Sequence, residues 1–283
     1  MQETIHGNAK RLAYVASLIE RYQPKTVLDV GCGNGVFLTI PLAELFPSTK
    51  FIGIDSDRET IDLANTENTC ANLRFATNAE LEDGMTFDFV LASEVIEHVD
   101  DPESFLDWLR LILAERGKLV ITTPNGYGPF ELSTFVETLM DLSGLMKLLS
   151  KVPFLKKLKV GDSYSSGDVR SMQHDTLAIS PHVNFFSLGV LESMFERRGY
   201  SIVEVRARSF LGGLGFNQLM KSQGILEWNS RVSDRLPKRF VSGWMFVLQT
   251  NPNAGVQPKS YRRRFNERLR RRLTALRWGT ANN

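Results

Sequence analysis

Apolar positions along this 283-residue chain fall into two alternating registers. Short β-branched runs at 26–30, 51–54, 73–76, 87–92 and 118–122 predict buried strands, and segments with helical spacing near 58–65 and 102–113 lie between them. This alternation is the pattern of an α/β fold, a parallel sheet covered by helices on both faces. An opening amphipathic helix over 8–22 gathers Leu12, Val15, Ala16 and Ile19 on one side. Pro102 suits a first helical turn. Pro41 does not suit a helix interior, so the helix after Gly35 either kinks there or begins late.

Beyond residue 125 the pattern changes. Residues 126–180 are too long for a plain connection. Their first part, FELSTFVETLMDLSGLMKLLSKVPFLKKLK, predicts amphipathic helices, and the following GDSYSSGDVRSMQHD predicts a mobile loop. A helix over 187–198 and strands over 201–208 and 242–249 resume the sheet, and 251–259 reads as a linker. The expected organisation is a sheet domain in two parts, 1–125 and 181–250, interrupted by a helical insertion at 126–180 and followed by a tail at 251–283.

With 42% hydrophobic residues the chain can bury a sizeable core, and no apolar stretch is long enough to cross a bilayer. Two cysteines, Cys32 and Cys70, exclude a disulfide framework, and MQETIHGNAK lacks a secretory pattern, so the expected location is cytoplasmic. The net charge of +2 hides an asymmetry: residues 261–278 carry eight arginines against the single acid Glu267.

The run TVLDV leads into Gly31-Cys32-Gly33-Asn34-Gly35. Glycines at alternate positions where a strand gives way to a turn allow left-handed backbone and close approach of a ligand. A dinucleotide turn would need a third glycine where Val36 stands, and Asp29 beside the turn would repel a pyrophosphate while suiting a cation. Asp55, ending FIGID, can take both hydroxyls of a ribose. A positively charged adenosine derivative fits these features.

VLDVGCGNG, FIGIDSD, FATNAEL, FDFVLASEVIEHVDDP and GKLVITTPN stand in the order and spacing of the class I S-adenosylmethionine-dependent methyltransferases, which residues 26–125 resemble. SPHVNFFSLGVLESMFERRGYSIVEV resembles the family's next helix and strand. The resemblance implies a Rossmann-like, mostly parallel sheet of seven strands with helices on both faces and a helical insertion after the fifth. It also implies that Gly31, Gly33 and Gly35 line the methionine portion of S-adenosylmethionine and that Asp29 meets its ammonium. Asp55 would bind the ribose, with Ser56, Asp57 and Asn78 around the adenine and Ser93 at the methyl end.

The stretch SEVIEHVDDP follows the fourth strand, where this fold places the transferred methyl. Methyl transfer is an in-line displacement, so the protein must align a nucleophile and manage its proton. Three readings of Glu94, Glu97 and His98 stay open. On one helical turn they project together and suit a divalent cation such as Mg2+, which would acidify an acceptor hydroxyl. ExxEH is similar to the metal motif of quinone-pathway O-methyltransferases and of small-RNA 2'-O-methyltransferases, and the latter likeness nominates His182 as a fourth ligand. Alternatively His98 is a metal-free general base oriented by a glutamate, or Glu97 and His98 cap the helix opened by Pro102.

The insertion, at the ligand edge of the sheet, is expected to form an apolar lid over the acceptor or simply to extend the core. The tail puts Phe265, Leu269, Leu273 and Leu276 along one helical face with arginines around it, suiting anionic lipid, nucleic-acid phosphates or a solvated role. The expected function is methyl transfer to a small or lipid-linked acceptor at oxygen, at the inner face of a membrane. An RNA methyltransferase and a non-catalytic cofactor-binding scaffold are the alternatives.

Overall fold

The computed structural model describes residues 5–145, 182–210 and 223–278. The chain runs α1 (Ile5–Tyr22), β1 (Thr26–Val30), α2 (Thr39–Leu45), β2 (Lys50–Asp55), α3 (Arg58–Glu67), β3 (Leu73–Thr77), β4 (Phe87–Ser93), α4 (Pro102–Ile112), β5 (Leu113–Pro124) and α5 (Pro129–Leu142). It continues through α6 (Leu188–Arg197), β6 (Tyr200–Ala207), α7 (Gln223–Arg235), β7 (Gly243–Thr250) and α8 (Phe265–Trp278).

The strands form one seven-stranded sheet in the order β3-β2-β1-β4-β5-β7-β6, with β7 antiparallel to both neighbours and the other pairs parallel. β1, β2, β4 and β5 therefore end at one edge, and so does β6, because two antiparallel steps restore its direction. The strand order reverses between β1 and β4, which is where such sheets open a ligand crevice.

Side chains alternate across the sheet. Val27, Phe51, Phe89, Leu91 and Val120 pack under α1, α2 and α3, while Leu28, Ile54, Val90, Leu119 and Ile121 pack under α4 and α6. Two-sided burial explains why the strands read as continuous apolar runs.

The helix after Gly35 begins late: α2 starts at Thr39, so Pro41 sits in a first turn, where a missing N–H costs nothing. α4 is capped by Asp101, whose side chain accepts from Ser104 N at 2.9 Å; Glu97 and His98 do not cap it. Of the expected insertion helices, α5 is present, and the residues after 145, with the expected mobile loop, lie outside the described residues. α7 was not legible as a helix in the sequence. No helix among the described residues is long and apolar enough to cross a membrane.

Candidate active site

At the end of β1 the chain turns through Gly31, Gly33 and Gly35, with φ of 69°, 57° and 74°. All three lie in the left-handed region that favours glycine. A Cβ on Gly35 would stand 2.4 Å from the Phe75 ring, so the turn can pack this closely on β3 only because it has no side chain there. Asp29 and Asp55 are both buried beneath it. Asp55 Oδ2 accepts from Gly33 N at 3.0 Å and its Oδ1 from Asp57 N at 3.0 Å, which ties the glycine turn to the end of β2. Asp29 accepts from Thr39 Oγ1 at 2.6 Å, and burial pushes its carboxyl up to about 6. Asp57 caps α3 through Thr60 N, and Ser56 and Asn78 are exposed at the ends of β2 and β3. The turn and the buried acid fit the methionine end of a sulfonium nucleoside, to be held by Asp29 and the glycine backbone.

At the end of β4, Ser93 Oγ lies 3.0 Å from Thr122 Oγ1 across the strand pair. Glu94 then leaves the strand at φ +57°, a left-handed conformation that costs a non-glycine residue roughly 1–2 kcal/mol. Backbone strain of this kind gathers at functional sites. The Glu94 carboxylate accepts from Thr122 Oγ1 at 2.6 Å and pairs with Arg208 Nη1. Burial favours its neutral form, but the positive charges of Arg208 and Arg11 prevail and hold its carboxyl below the usual range.

Glu97, His98 and His182 come together: one ligand atom from each lies within 4.8 Å of the others. Glu94 stands outside this group. Glu97 is buried; its Oε2 accepts from Thr123 Oγ1 at 3.1 Å, and its Oε1 has no hydrogen-bond partner among the described residues. Burial, followed by repulsion from Glu94, pushes its carboxyl up to about 8. The His98 and His182 rings meet edge to face at 4.9 Å. His182 Nδ1 lies 2.6 Å from Glu131 Oε1. Burial alone would lower its pKa, but Glu131, Glu97 and Glu94 together raise it.

The contact between the two loops is fixed by backbone. Val183 N and Asn184 N donate to Glu97 O at 2.9 and 3.0 Å, and Asn184 Nδ2 donates to Ile96 O and Val99 O. Arg263, from the tail, donates to Asn184 Oδ1 at 2.8 Å. A cleft of about 1070 Å3 opens beside His182, between the Asp100 turn and the tail, with Arg263, Arg268, Arg271 and Arg272 on its wall.

The profile of the family described as methyltransferase domain matches residues 5–205. The chain belongs to this methyltransferase family. It is 29% identical over 174 residues to the mitochondrial ubiquinone biosynthesis O-methyltransferase of Dictyostelium discoideum, covering 52% of this chain and 51% of that protein. It is 26% identical over 195 residues to the ubiquinone biosynthesis O-methyltransferase of Coxiella burnetii, covering 64% of this chain and 78% of that protein. The chain thus spans about half of the first of these relatives. Among solved structures it resembles PKMT2 from Rickettsia typhi, with a TM-score of 0.56 at 16% identity over 92% of this chain and 56% of that one. At that identity the likeness shows the fold.

Several residues of the candidate site were not found by reading the sequence. Arg208 directly follows β6, a strand that itself carries Glu204 and Arg206, so nothing local sets it apart from its charged neighbours. Arg11 is buried in α1, near enough to act electrostatically on Asp29 and Glu94, and has no local signature. Glu131 and Arg270 belong to elements read only as lid and tail, yet Arg270 Nη2 lies 3.0 Å from Glu131 Oε2.

Proposed function

We propose that this chain transfers the methyl group of S-adenosylmethionine to a hydroxyl oxygen of a small, lipid-linked acceptor. The observation that carries the reading is the convergence of Glu97, His98 and His182 at the carboxyl end of β4, on the sheet edge that also holds the glycine turn. The cofactor supplies an electrophilic methyl: its carbon–sulfur bond breaks as the carbon–oxygen bond forms, and the acceptor releases one proton. The protein's part is to aim the hydroxyl and take that proton. His182, with Nδ1 engaged by Glu131, has Nε2 left to receive it, and ligand atoms of His98, Glu97 and His182 lie within 4.8 Å of one another, a span that one water can bridge to pass it on.

The same donor set fits a divalent cation, because a buried carboxylate with an unpartnered oxygen and two imidazoles is a plausible ligand group. One oxygen ligand with two nitrogens suits a first-row ion such as Mn2+ or Zn2+ better than Mg2+, which favours oxygen. Glu97, His98 and His182 would hold it, and a bound ion would acidify the acceptor hydroxyl. Exhaustive chelation followed by re-addition of single metals tests this: lost and restored transfer supports the ion, and full activity after chelation leaves the proton-accepting reading.

Two observations support a lipid-linked acceptor beside the relatives' names. α5 exposes Leu132, Val136, Leu139 and Leu142, and the neighbouring α8 exposes Phe265, Leu269 and Leu276. Arg262, Arg264, Arg268 and Arg272 are exposed around this apolar stripe, each worth on the order of 1 kcal/mol near an anionic bilayer. Transfer of labelled methyl to a prenylated catechol in anionic vesicles, run beside short RNA in matched salt, tests the acceptor class. Label in an ether of the lipid is the expected result; label in RNA would replace this reading with the nucleic-acid one.

A further inference from the structure

One buried chain of charge connects the arginine helix to the candidate site. Arg270, on α8, is 7% exposed and donates to Glu131 Oε2 at 3.0 Å. Glu131, 2% exposed in the first turn of α5, holds His182 Nδ1 on its other oxygen at 2.6 Å. The same guanidinium donates to Gly126 O after β5 and lies 3.9 Å from the centre of the Phe185 ring, in the segment that carries His182. Gly126 lets the chain after β5 lie against the His182 segment, since a Cβ there would stand 2.4 Å from the Phe185 backbone. A single side chain thus ties together the end of β5, the start of α5 and the His182 segment.

We propose, building on the methyl-transfer reading, that Arg270 and Glu131 are positioning residues that fix the tautomer and direction of the His182 ring, so that the C-terminal helix completes the active site. A carboxylate on Nδ1 keeps the proton on that nitrogen and leaves Nε2 as the unprotonated one, able to accept a proton. Arg270 fixes the carboxylate itself. Stability alone does not account for the arrangement, because apolar residues of similar volume replace a buried ion pair at little or no cost. Nor does attachment of the helix require it. Arg277 joins α8 to α5 independently, through Glu137 at 2.9 Å and Asp141 at 3.2 Å, without touching His182.

The decisive variant is the double replacement Glu131→Leu with Arg270→Met, which removes the charges together and leaves neither one buried alone. Arg277→Ala serves as the control that loosens the same helix pair elsewhere. Ring nitrogens of histidine are labelled with 15N and His182 is assigned by its loss in His182→Asn. Wild type and Arg277→Ala should show His182 protonated at Nδ1, while the double variant shifts the proton towards Nε2 with its melting temperature largely kept. Its kcat/KM for methyl transfer should fall roughly 10- to 100-fold, the usual effect of losing a partner that orients a functional histidine, with cofactor affinity unchanged. Arg270→Lys should recover part of the loss.

An unchanged His182 tautomer in the double variant would overturn the proposal, as would full kcat/KM in it. The ring spectrum needs no acceptor. A shifted tautomer in a protein that methylates none of the tested acceptors would therefore support the positioning role and count against the function assigned to the site.

Discussion

Glu94 and Arg208 close the active edge of the sheet by an ion pair between the end of β4 and the end of β6. The Arg208 side chain is 6% exposed and that of Glu94 is 24% exposed, so the charges are largely but not wholly removed from water. This pairing explains why Glu94 lies outside the Glu97, His98 and His182 group despite its helical spacing from them. Its backbone turns left-handed directly after the strand, and no helical turn forms to align the three side chains.

Removing one partner of such a pair strands the other. Arg208→Ala should cost about 2–4 kcal/mol, somewhat below the usual 3–5 kcal/mol for a buried pair because Glu94 retains some solvent. Urea denaturation of Glu94→Ala, Arg208→Ala and the double variant checks this. The double variant should be less destabilised than the sum of the singles, and strict additivity would show that the pair is not coupled.

Two glycines with nearly the same φ should respond differently to alanine. Gly84, at φ +81°, has open space where a Cβ would go, so Gly84→Ala should cost only the left-handed strain of roughly 1–2 kcal/mol. Gly35, at φ +74°, would press a Cβ into Phe75, and overpacking adds about 1–3 kcal/mol to that strain. Thermal melts with and without S-adenosylmethionine should show Gly35→Ala both less stable and unresponsive to the cofactor. Equal melting temperatures for the two variants would count against the packing described for the turn.

Asp29 carries a pH signature. Burial pushes its carboxyl from 3.8 to about 6, with Thr39 and Arg11 opposing and Asp55 adding to the rise. Its folded pKa is raised, so its contribution to the stability of the cofactor-free protein is full below about pH 4 and is lost as pH rises through about 6. The cationic ammonium of the cofactor favours the ionised form. Affinity should therefore strengthen roughly three- to fourfold between about pH 5.5 and pH 7, with proton release on binding. Calorimetry in buffers of different ionisation enthalpy measures both effects. Asp29→Asn should flatten the profile, and an unchanged profile in that variant would remove Asp29 from the cofactor site.

The sheet was legible in the sequence because its strands are buried on both faces and its helices keep their apolar spacing. The strands at 26–30, 51–54, 73–76 and 87–92 lie within a residue or so of the observed β1 to β4. The glycine turn was legible too, since left-handed backbone leaves glycine as its mark. Pairing across the sheet was not. Arg208 meets Glu94 only because β7 runs antiparallel and restores the direction of β6, a matter of topology without a local signal.

The tail was legible only in part. Its apolar face drew the reading, yet Phe265, Leu269 and Leu276 are exposed, and Glu267 and Arg270 are the buried side. The polar spacing of Glu267, Arg270, Thr274 and Arg277 marks the face through which this helix packs by charge.

In the proposed function, Glu97, His98 and His182 act on the acceptor and its proton rather than on the cofactor. Measuring kcat/KM for methyl transfer alongside the calorimetric affinity for S-adenosylmethionine, in Glu97→Gln, His98→Asn and His182→Asn, tests it most directly. Each variant should bind the cofactor within about twofold of wild type and lose on the order of 100-fold or more in kcat/KM. Wild-type transfer in all three, or loss of cofactor binding in step with activity, would contradict it.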